Sequence, residues 1–340
     1  MRLLVLTQTV NVEDPVLGFL HGWLTEFSKN YERISVICLK EGKHTLPKNV
    51  SVYSLGKERG ASRIQYLWRY YKLIWSLRSQ YDAVFVHMNP EYVVLGGLLW
   101  KILGKRAFMW RNHYAGGIMT RIAIILANKT FCTSEHSFTA RYRKNRLMPA
   151  GIDTDVFAPV PGIPRTMSVL SLGRIAPSKR IEVLIEALAM LKKKGIILAA
   201  NIYGDALPRD REYRDKLMAD VEARGLSSHI RFHSGVPNTE TPRIYSASEI
   251  FVNCSESGMY DKTIFEAAAC GAIPLASSQD YAEAMGERFW FVDARTLAAR
   301  IESIIALPPS EKEPFRAHLS LVAHEHSLDA LAKKLLAEMR

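Results

Sequence analysis

One carboxylate, Glu266, stands in an otherwise apolar run, Ile264–Cys270, within the segment SESGMYDKTIFEAAACGAIP (255–274). The pattern predicts a short buried helix over Lys262–Cys270, with Asp261 as its N-cap and Gly271 as its stop. A carboxylate buried there is costly unless something hydrogen-bonds it. Two chemistries fit: a structural salt bridge, or a ligand carboxylate that accepts hydrogen bonds from sugar or ribose hydroxyls. The polar loop ahead of the helix, Ser255–Lys262, adds the Lys262 ammonium and the Asp261–Thr263 amides, all suited to phosphate or sugar oxygens.

A second segment, SVLSLGRIAPSKRIEVLIEAL (168–188), reads as a strand, a turn at Gly173 and a helix that starts near Pro177 and Lys179. Arg174 and Lys179 flank that start. Two cations beside helix amides suit a diphosphate, with solvated surface charge as the plain alternative. The segment is not GxxxxGK[ST], which argues against a Walker-type nucleotide site. If both loops share one cleft, Glu266 sits beside the same ligand. In the first half, Gly18 (DPVLGFLHGW) follows a strand, where a glycine permits close approach of a ligand or tight helix–sheet packing. His113 (MWRNHYAGG) ends another strand before a glycine turn. His21, His87 and His233 are weaker candidates of the same kind.

Positioning these residues requires alternating strands and helices. Strands are expected at 2–6, 34–39, 50–53, 83–87, 107–110 and 129–133, with helices at Pro15–Ser28, 63–78, 92–103 and 118–127. The Pro-rich, aperiodic stretch 153–165 reads as a linker. Alternation then resumes, with strands at 167–172, 198–203, 230–233, 249–253 and 272–276. Helices follow at 179–193, 209–224, 297–306 and 329–338. Repeated βα units imply parallel, doubly wound sheets, so the expected fold is α/β. It comprises two Rossmann-like domains, 1–152 and 166–325, facing each other across a cleft, plus a terminal segment 326–340. Ligands in such sheets bind at the carboxyl ends of strands.

At 340 residues, 48% hydrophobic and 23% charged, the chain suits a globular protein of two domains. Four scattered cysteines show no CxxC spacing, and no zinc-ligand pattern appears. The N-terminal MRLLVLTQTV is too short and polar for a signal peptide, and no run is long enough to span a membrane. A reduced cytoplasmic protein is expected. The net charge of +11 lies in the first half: residues 1–165 hold 23 Lys+Arg against 11 Asp+Glu. This suggests an anionic partner, a lipid surface, a phosphorylated substrate or nucleic acid, with plain solubility charge as the alternative. The basic, aromatic segment RIQYLWRYYKLIWSLR (63–78) suits an anionic membrane face, or simply packs on the sheet. No RRM, KH or zinc-finger pattern supports a nucleic-acid partner.

The second-half motifs together resemble the retaining family-4 glycosyltransferases of the GT-B fold. SLGRIAPSKRIEVLIEAL is similar to that family's Gly-Arg…Lys segment, and AGIDTDVF to its interdomain stretch. NIYGDA, with Gly204 and Asp205, resembles its Gly-Asp turn near the donor, and DKTIFEAAACGAIPLAS its signature helix. The likeness is looser at Gly18 and at 110–113. The resemblance implies that Arg174 and Lys179, with Gly173, bind the donor diphosphate. It also implies that Glu266 holds the ribose, that His113 lines the sugar site, and that the terminal helix crosses back to the first domain. One departure stands out. The family often carries a second glutamate eight positions before the first, and here that position is Gly258.

The implied activity is retaining, metal-independent transfer of a sugar from a nucleoside-diphosphate donor to a hydroxyl of a glycan or lipid-linked acceptor. It would take place at the inner face of the membrane. Two alternatives remain open: a nucleotide-sugar epimerase or hydrolase of the same fold, or a non-catalytic basic protein that binds nucleic acid or a phosphorylated ligand.

Overall fold

The structure, a computed structural model, describes residues 1–14 and 16–340. The expected helix start at Pro15 lies outside the described residues. The chain divides into two compact units, Met1–Gly151 with Leu328–Arg340, and Ile152–Ser327.

The first unit contains β1 (Arg2–Val10), α1 (Phe19–Ser28), β2 (Arg33–Glu41), β3 (Val50–Ser54), α2 (Arg63–Ser76), β4 (Ala83–His87) and α3 (Pro90–Ile102). It continues with β5 (Arg106–Trp110), α4 (Ile118–Leu126), β6 (Lys129–Cys132) and β7 (Asn145–Leu147). Among the described residues its sheet has seven strands in the order β3-β2-β1-β4-β5-β6-β7, paired in parallel. A parallel sheet covered on both faces needs apolar residues on both sides of its strands. The continuous run Leu3–Leu6 supplies them: Leu3 and Val5 join one core, Leu4 and Leu6 the other. The first core takes Trp23 and Phe27 from α1, and the second takes Tyr70 and Ile74 from α2 with Trp100 from α3.

The second unit runs β8 (Thr166–Leu172), α5 (Ile181–Lys193), β9 (Ala199–Tyr203), α6 (Arg211–Ala223), β10 (Ile230–His233), α7 (Thr241–Ala247) and β11 (Ser248–Asn253). It then runs α8 (Lys262–Ala269), β12 (Ile273–Ala276), α9 (Gln279–Met285), α10 (Ala294–Ile305) and α11 (Pro309–Glu325). The last helix, α12 (Leu328–Met339), returns to the first unit, where Leu331, Leu335 and Met339 join the core beside α1. The second sheet is parallel with order β10-β9-β8-β11-β12. Its strand order reverses between β8 and β11, the switch point at which open α/β sheets bind ligands.

Three differences from the sequence expectation have physical causes. The stretch 153–165 is folded onto the second unit rather than free: Phe157 is buried against Tyr245, and the Val160 amide donates to Ser246 Oγ at 3.0 Å. The helix expected from Lys179 starts at Ile181. Bonds from Lys179 N to Ala176 O and from Arg180 N to Pro177 O close a one-turn 3-10 helix over Pro177–Lys179 first, and Arg180 then takes a left-handed φ of 48°. The helices α7, α9 and α11 were not anticipated. α7 is short, α9 follows a strand directly, and α11 carries an internal Pro314 and a mixed polar sequence.

Candidate functional site

The loops after β8 and β11 meet at the switch point. Lys179, on the 3-10 turn after β8, bonds the Asp261 carboxylate and reaches Ser255 Oγ at 3.3 Å. Asp261 also accepts from Ser255 Oγ at 2.7 Å and from Asn253 Nδ2 at 2.8 Å. Asn253 ends β11 and further contacts Thr263 Oγ1 at 3.4 Å. Burial alone would raise the Asp261 pKa, but the Lys179 charge and the bonds from Lys179, Asn253 and Ser255 hold it below the usual carboxylate range.

This arrangement corrects the role expected for Asp261. It occupies the N-cap position of α8, yet its side chain makes no capping bond. The carboxylate turns instead to the ammonium and the two neighbouring donors, because charge-assisted bonds are the stronger ones. Arg174 takes a different environment. Its Nε is buried with no hydrogen-bond partner, a condition that costs about 1–3 kcal/mol.

The glycines predicted near the ligand lie at these strand ends. Gly173 and Gly204 pack backbone to backbone: a Cβ on Gly204 would overlap the Gly173 carbonyl, and the Gly173 amide donates to Tyr203 O at 3.0 Å. Asp205 follows, exposed, at the end of β9. Gly258 has φ +85°, and its amide donates to Asp280 Oδ2 at 3.1 Å. Asp280, itself buried, also accepts from Ser278 Oγ at 2.9 Å and so ties the Ser255–Asp261 loop to the start of α9. Tyr281 OH donates to the Asp261 carbonyl at 2.6 Å, and Tyr260 stacks on its ring.

Glu266, one turn into α8, is 6% exposed. Tyr245 OH on α7 donates to its Oε2 at 3.2 Å. Burial pushes its pKa up to about 7, against the pull of Lys262 and the Tyr245 bond. Burial pushes the Lys262 ammonium down, with Glu266 opposing.

His113 and Gly18 belong to the first unit. His113 Nδ1 accepts from the Ala115 amide at 2.9 Å, so the neutral ring carries its proton on Nε2. Burial and Arg111 hold its pKa below the usual imidazole value. Gly18 precedes α1, and a Cβ there would lie 2.7 Å from Asp14 O and 2.9 Å from Val12 O. The chain's own turn therefore requires this glycine. Of the weaker histidines, His233 bonds Asn201 Oδ1 at 2.9 Å and stacks on Tyr203. His21 accepts from the Thr45 amide, and His87 is buried against Trp23.

The structure thus joins Lys179 to Asp261 directly and links Thr263 to Asp261 through Asn253. It places Gly173, Arg174, Gly258, Lys262 and Glu266 on the same loops and helix, and Gly204 and Asp205 on the neighbouring turn after β9. Sequence reasoning missed Asn253, Ser255, Tyr245, Asp280 and Tyr281. A polar residue closing the apolar strand SEIFVN was a usable signal for Asn253; Tyr245 had none, because α7 was not foreseen.

Residues 160–317 match the sequence model of the glycosyl transferases group 1 family. This stretch is a glycosyl transferases group 1 domain. It holds every strand of the second sheet and both loops of the site. The chain is 26% identical over 172 residues to the Mycolicibacterium smegmatis GDP-mannose-dependent alpha-(1-6)-phosphatidylinositol monomannoside mannosyltransferase, covering 42% of this chain and 44% of that protein. It is 25% identical over 197 residues to the D-inositol 3-phosphate glycosyltransferase of the same organism, covering 53% and 44%. The matched stretches thus span less than half the length of these relatives. The structure of Anabaena Alr3699/HepE with UDP and glucose superposes with a TM-score of 0.79 at 19% identity, over 99% of this chain and 98% of that one. Sucrose-phosphate synthase from Thermosynechococcus elongatus gives a TM-score of 0.76 at 15% identity, over 98% and 97%. The group 1 domain and the Rossmann-like first unit together have the GT-B fold of these structures.

Proposed function

We propose that this chain is a retaining glycosyltransferase that moves a sugar from a nucleoside-diphosphate donor to a hydroxyl of a glycan or lipid-linked acceptor, without a metal ion. The observation that carries the reading is the junction of the two strand-end loops through Lys179 and Asp261 at the switch point of a group 1 domain. The relatives named for mannosyl and inositol-phosphate glycosyl transfer, and the HepE complex with UDP and glucose, support a nucleotide-sugar donor.

As the anomeric C–O bond breaks, negative charge grows on the leaving diphosphate. Preorganised donors aimed at that charge are usually the largest catalytic contribution. In this reading Arg174 and Lys179 supply them, together with the Lys262 and Thr263 amides at the start of α8. Arg174 Nε, buried and unpartnered, gains a partner only when the anion arrives. Asp261 keeps Lys179 extended toward the site beforehand. Gly173, Gly204 and Gly258 let the backbone approach the donor, and Glu266 accepts bonds from the ribose hydroxyls. His113, through Nε2–H, is assigned to the sugar, and Asp205 and Gly18 to the donor, on the family resemblance.

A thermal-shift panel of UDP, GDP, ADP and TDP and their sugars, with and without Mg²⁺, tests the donor. A selective rise with one diphosphate, unchanged by Mg²⁺, is expected. No rise with any of them removes the reading. Lys179→Ala is expected to lower turnover by roughly 10²-fold or more.

A further inference from the structure

The helices α2, α3 and α4 form one layer on a single face of the first sheet. Their inner sides share one core: Tyr70 and Ile74 from α2, Val93 and Trp100 from α3, and Ala123 and Ile124 from α4. The layer is tight. Tyr71 OH on α2 donates to the Leu95 carbonyl on α3 at 3.0 Å, and a Cβ on Gly97 of α3 would lie 2.9 Å from Leu126 Cβ of α4.

The outer side of this layer is apolar where water would favour polar residues. On α2, Ile64, Leu67, Trp68, Tyr71 and Trp75 follow an i, i+3, i+4, i+7, i+11 spacing and are exposed, Trp68 at 62%. On α3, Leu98 and Ile102 are exposed at 63% and 74%, and on α4 Ile118 and Ile125 at 76% and 70%. Three adjacent apolar stripes on one layer exceed the scattered exposure normal for a protein surface.

The charge around this face has one sign. Residues 57–147 hold 16 Lys+Arg against 4 Asp+Glu, a net charge of +12 in a chain whose total is +11. Neither α2 nor α4 contains an acidic residue. The cations frame the apolar stripe: Lys72 lies over the Trp68 ring at 4.8 Å and Arg78 over the Trp75 ring at 4.6 Å. No helix among the described residues is long and apolar enough to cross a membrane.

We propose that the outer face of α2, α3 and α4 docks on an anionic lipid bilayer, its aliphatic and indole side chains entering the interface and its cations meeting lipid phosphates. Trp side chains favour the headgroup level, and Lys and Arg beside them add attraction to anionic lipid. The same charge argues against a second copy as the occupant, since two such faces repel each other.

The test uses the full chain and vesicles of phosphatidylcholine, with and without phosphatidylglycerol, in a sedimentation assay. The expected result is partitioning at least about tenfold stronger to the anionic vesicles at low salt. Most of this binding should disappear near 1 M salt, where the screening length shortens to about 3 Å. Trp68→Ser with Trp75→Ser, and separately Lys72→Glu with Arg78→Glu, should each lower partitioning about tenfold while leaving the melting temperature unchanged, because these side chains make few core contacts. Absence of binding to anionic vesicles at low salt, or variants that bind as well as the parent, overturns the proposal. So does a concentration-dependent dimer that the tryptophan variant abolishes. The outcome is independent of the donor site. Vesicle binding without any nucleotide response removes the transferase reading and leaves this one, and the reverse pattern removes only this one.

Discussion

Asp261 holds Lys179 at the junction of two loops, and that duty can be separated from chemistry. In Lys179→Ala the partly buried carboxylate loses its counter-ion, for an expected stability loss on the order of 1–3 kcal/mol by urea denaturation. Adding Asp261→Asn should recover much of that stability and none of the turnover; recovery of both would make Lys179 a structural residue. Glu266 carries a pH prediction. Its pKa stands near 7 in the folded chain, above the usual carboxylate value, so the folded state holds the extra proton between about pH 4.5 and 7. Stability should therefore decline as pH rises through that window. Ribose hydroxyls bond best to the ionised form, so nucleotide affinity should weaken as pH falls from 8 to 6. Glu266→Gln should flatten both trends. An unflattened affinity profile, followed by calorimetry, would take Glu266 out of the site.

The strand-end turns are where single elements decide the geometry. The β8 turn and the β9 turn touch through backbone alone at Gly173 and Gly204, and Gly204 has φ +147°. A carbonyl cannot yield as a flexible side chain does. Gly204→Ala is therefore expected to cost about 2–4 kcal/mol, read from the urea midpoint, and to misplace Arg174 on the adjoining turn. A near-neutral result would mean that the turns separate without penalty. The loop 255–261 was legible as a loop because its composition is polar and a buried helix follows. Its anchor on Asp280 was not legible, because α9 begins directly after β12 with no separate signal.

At the scale of the whole chain, α12 completes a core laid down by the first 151 residues. Leu328, Leu331, Leu335 and Met339 are all buried there. At about 1.5–3 kcal/mol each, their burial is comparable with the 5–15 kcal/mol that holds an ordinary domain folded. Deleting 328–340 should leave the first unit unfolded by circular dichroism and proteolysis. A truncated chain that melts like the parent would show that α12 only decorates the surface. The basic charge is likewise a property of one region, since 57–147 carries the chain's whole excess.

Much was readable from the sequence alone. The apolar run Leu3–Leu6, the helical spacing of 63–78, the turn at Gly271 and the lone carboxylate Glu266 follow from periods, caps and the cost of burying charge, all of them local. What a cation bonds is not local. Lys179 and Asp261 lie 82 residues apart and meet because the sheet order sets β11 beside β8, with β9 and β10 on the other side. That order also turned Asp261 from a helix cap into a counter-ion, and it folded the expected linker against Tyr245. Strand order is chosen by packing two sheet faces at once, a condition no single segment carries, and for that reason only the tertiary structure decided it.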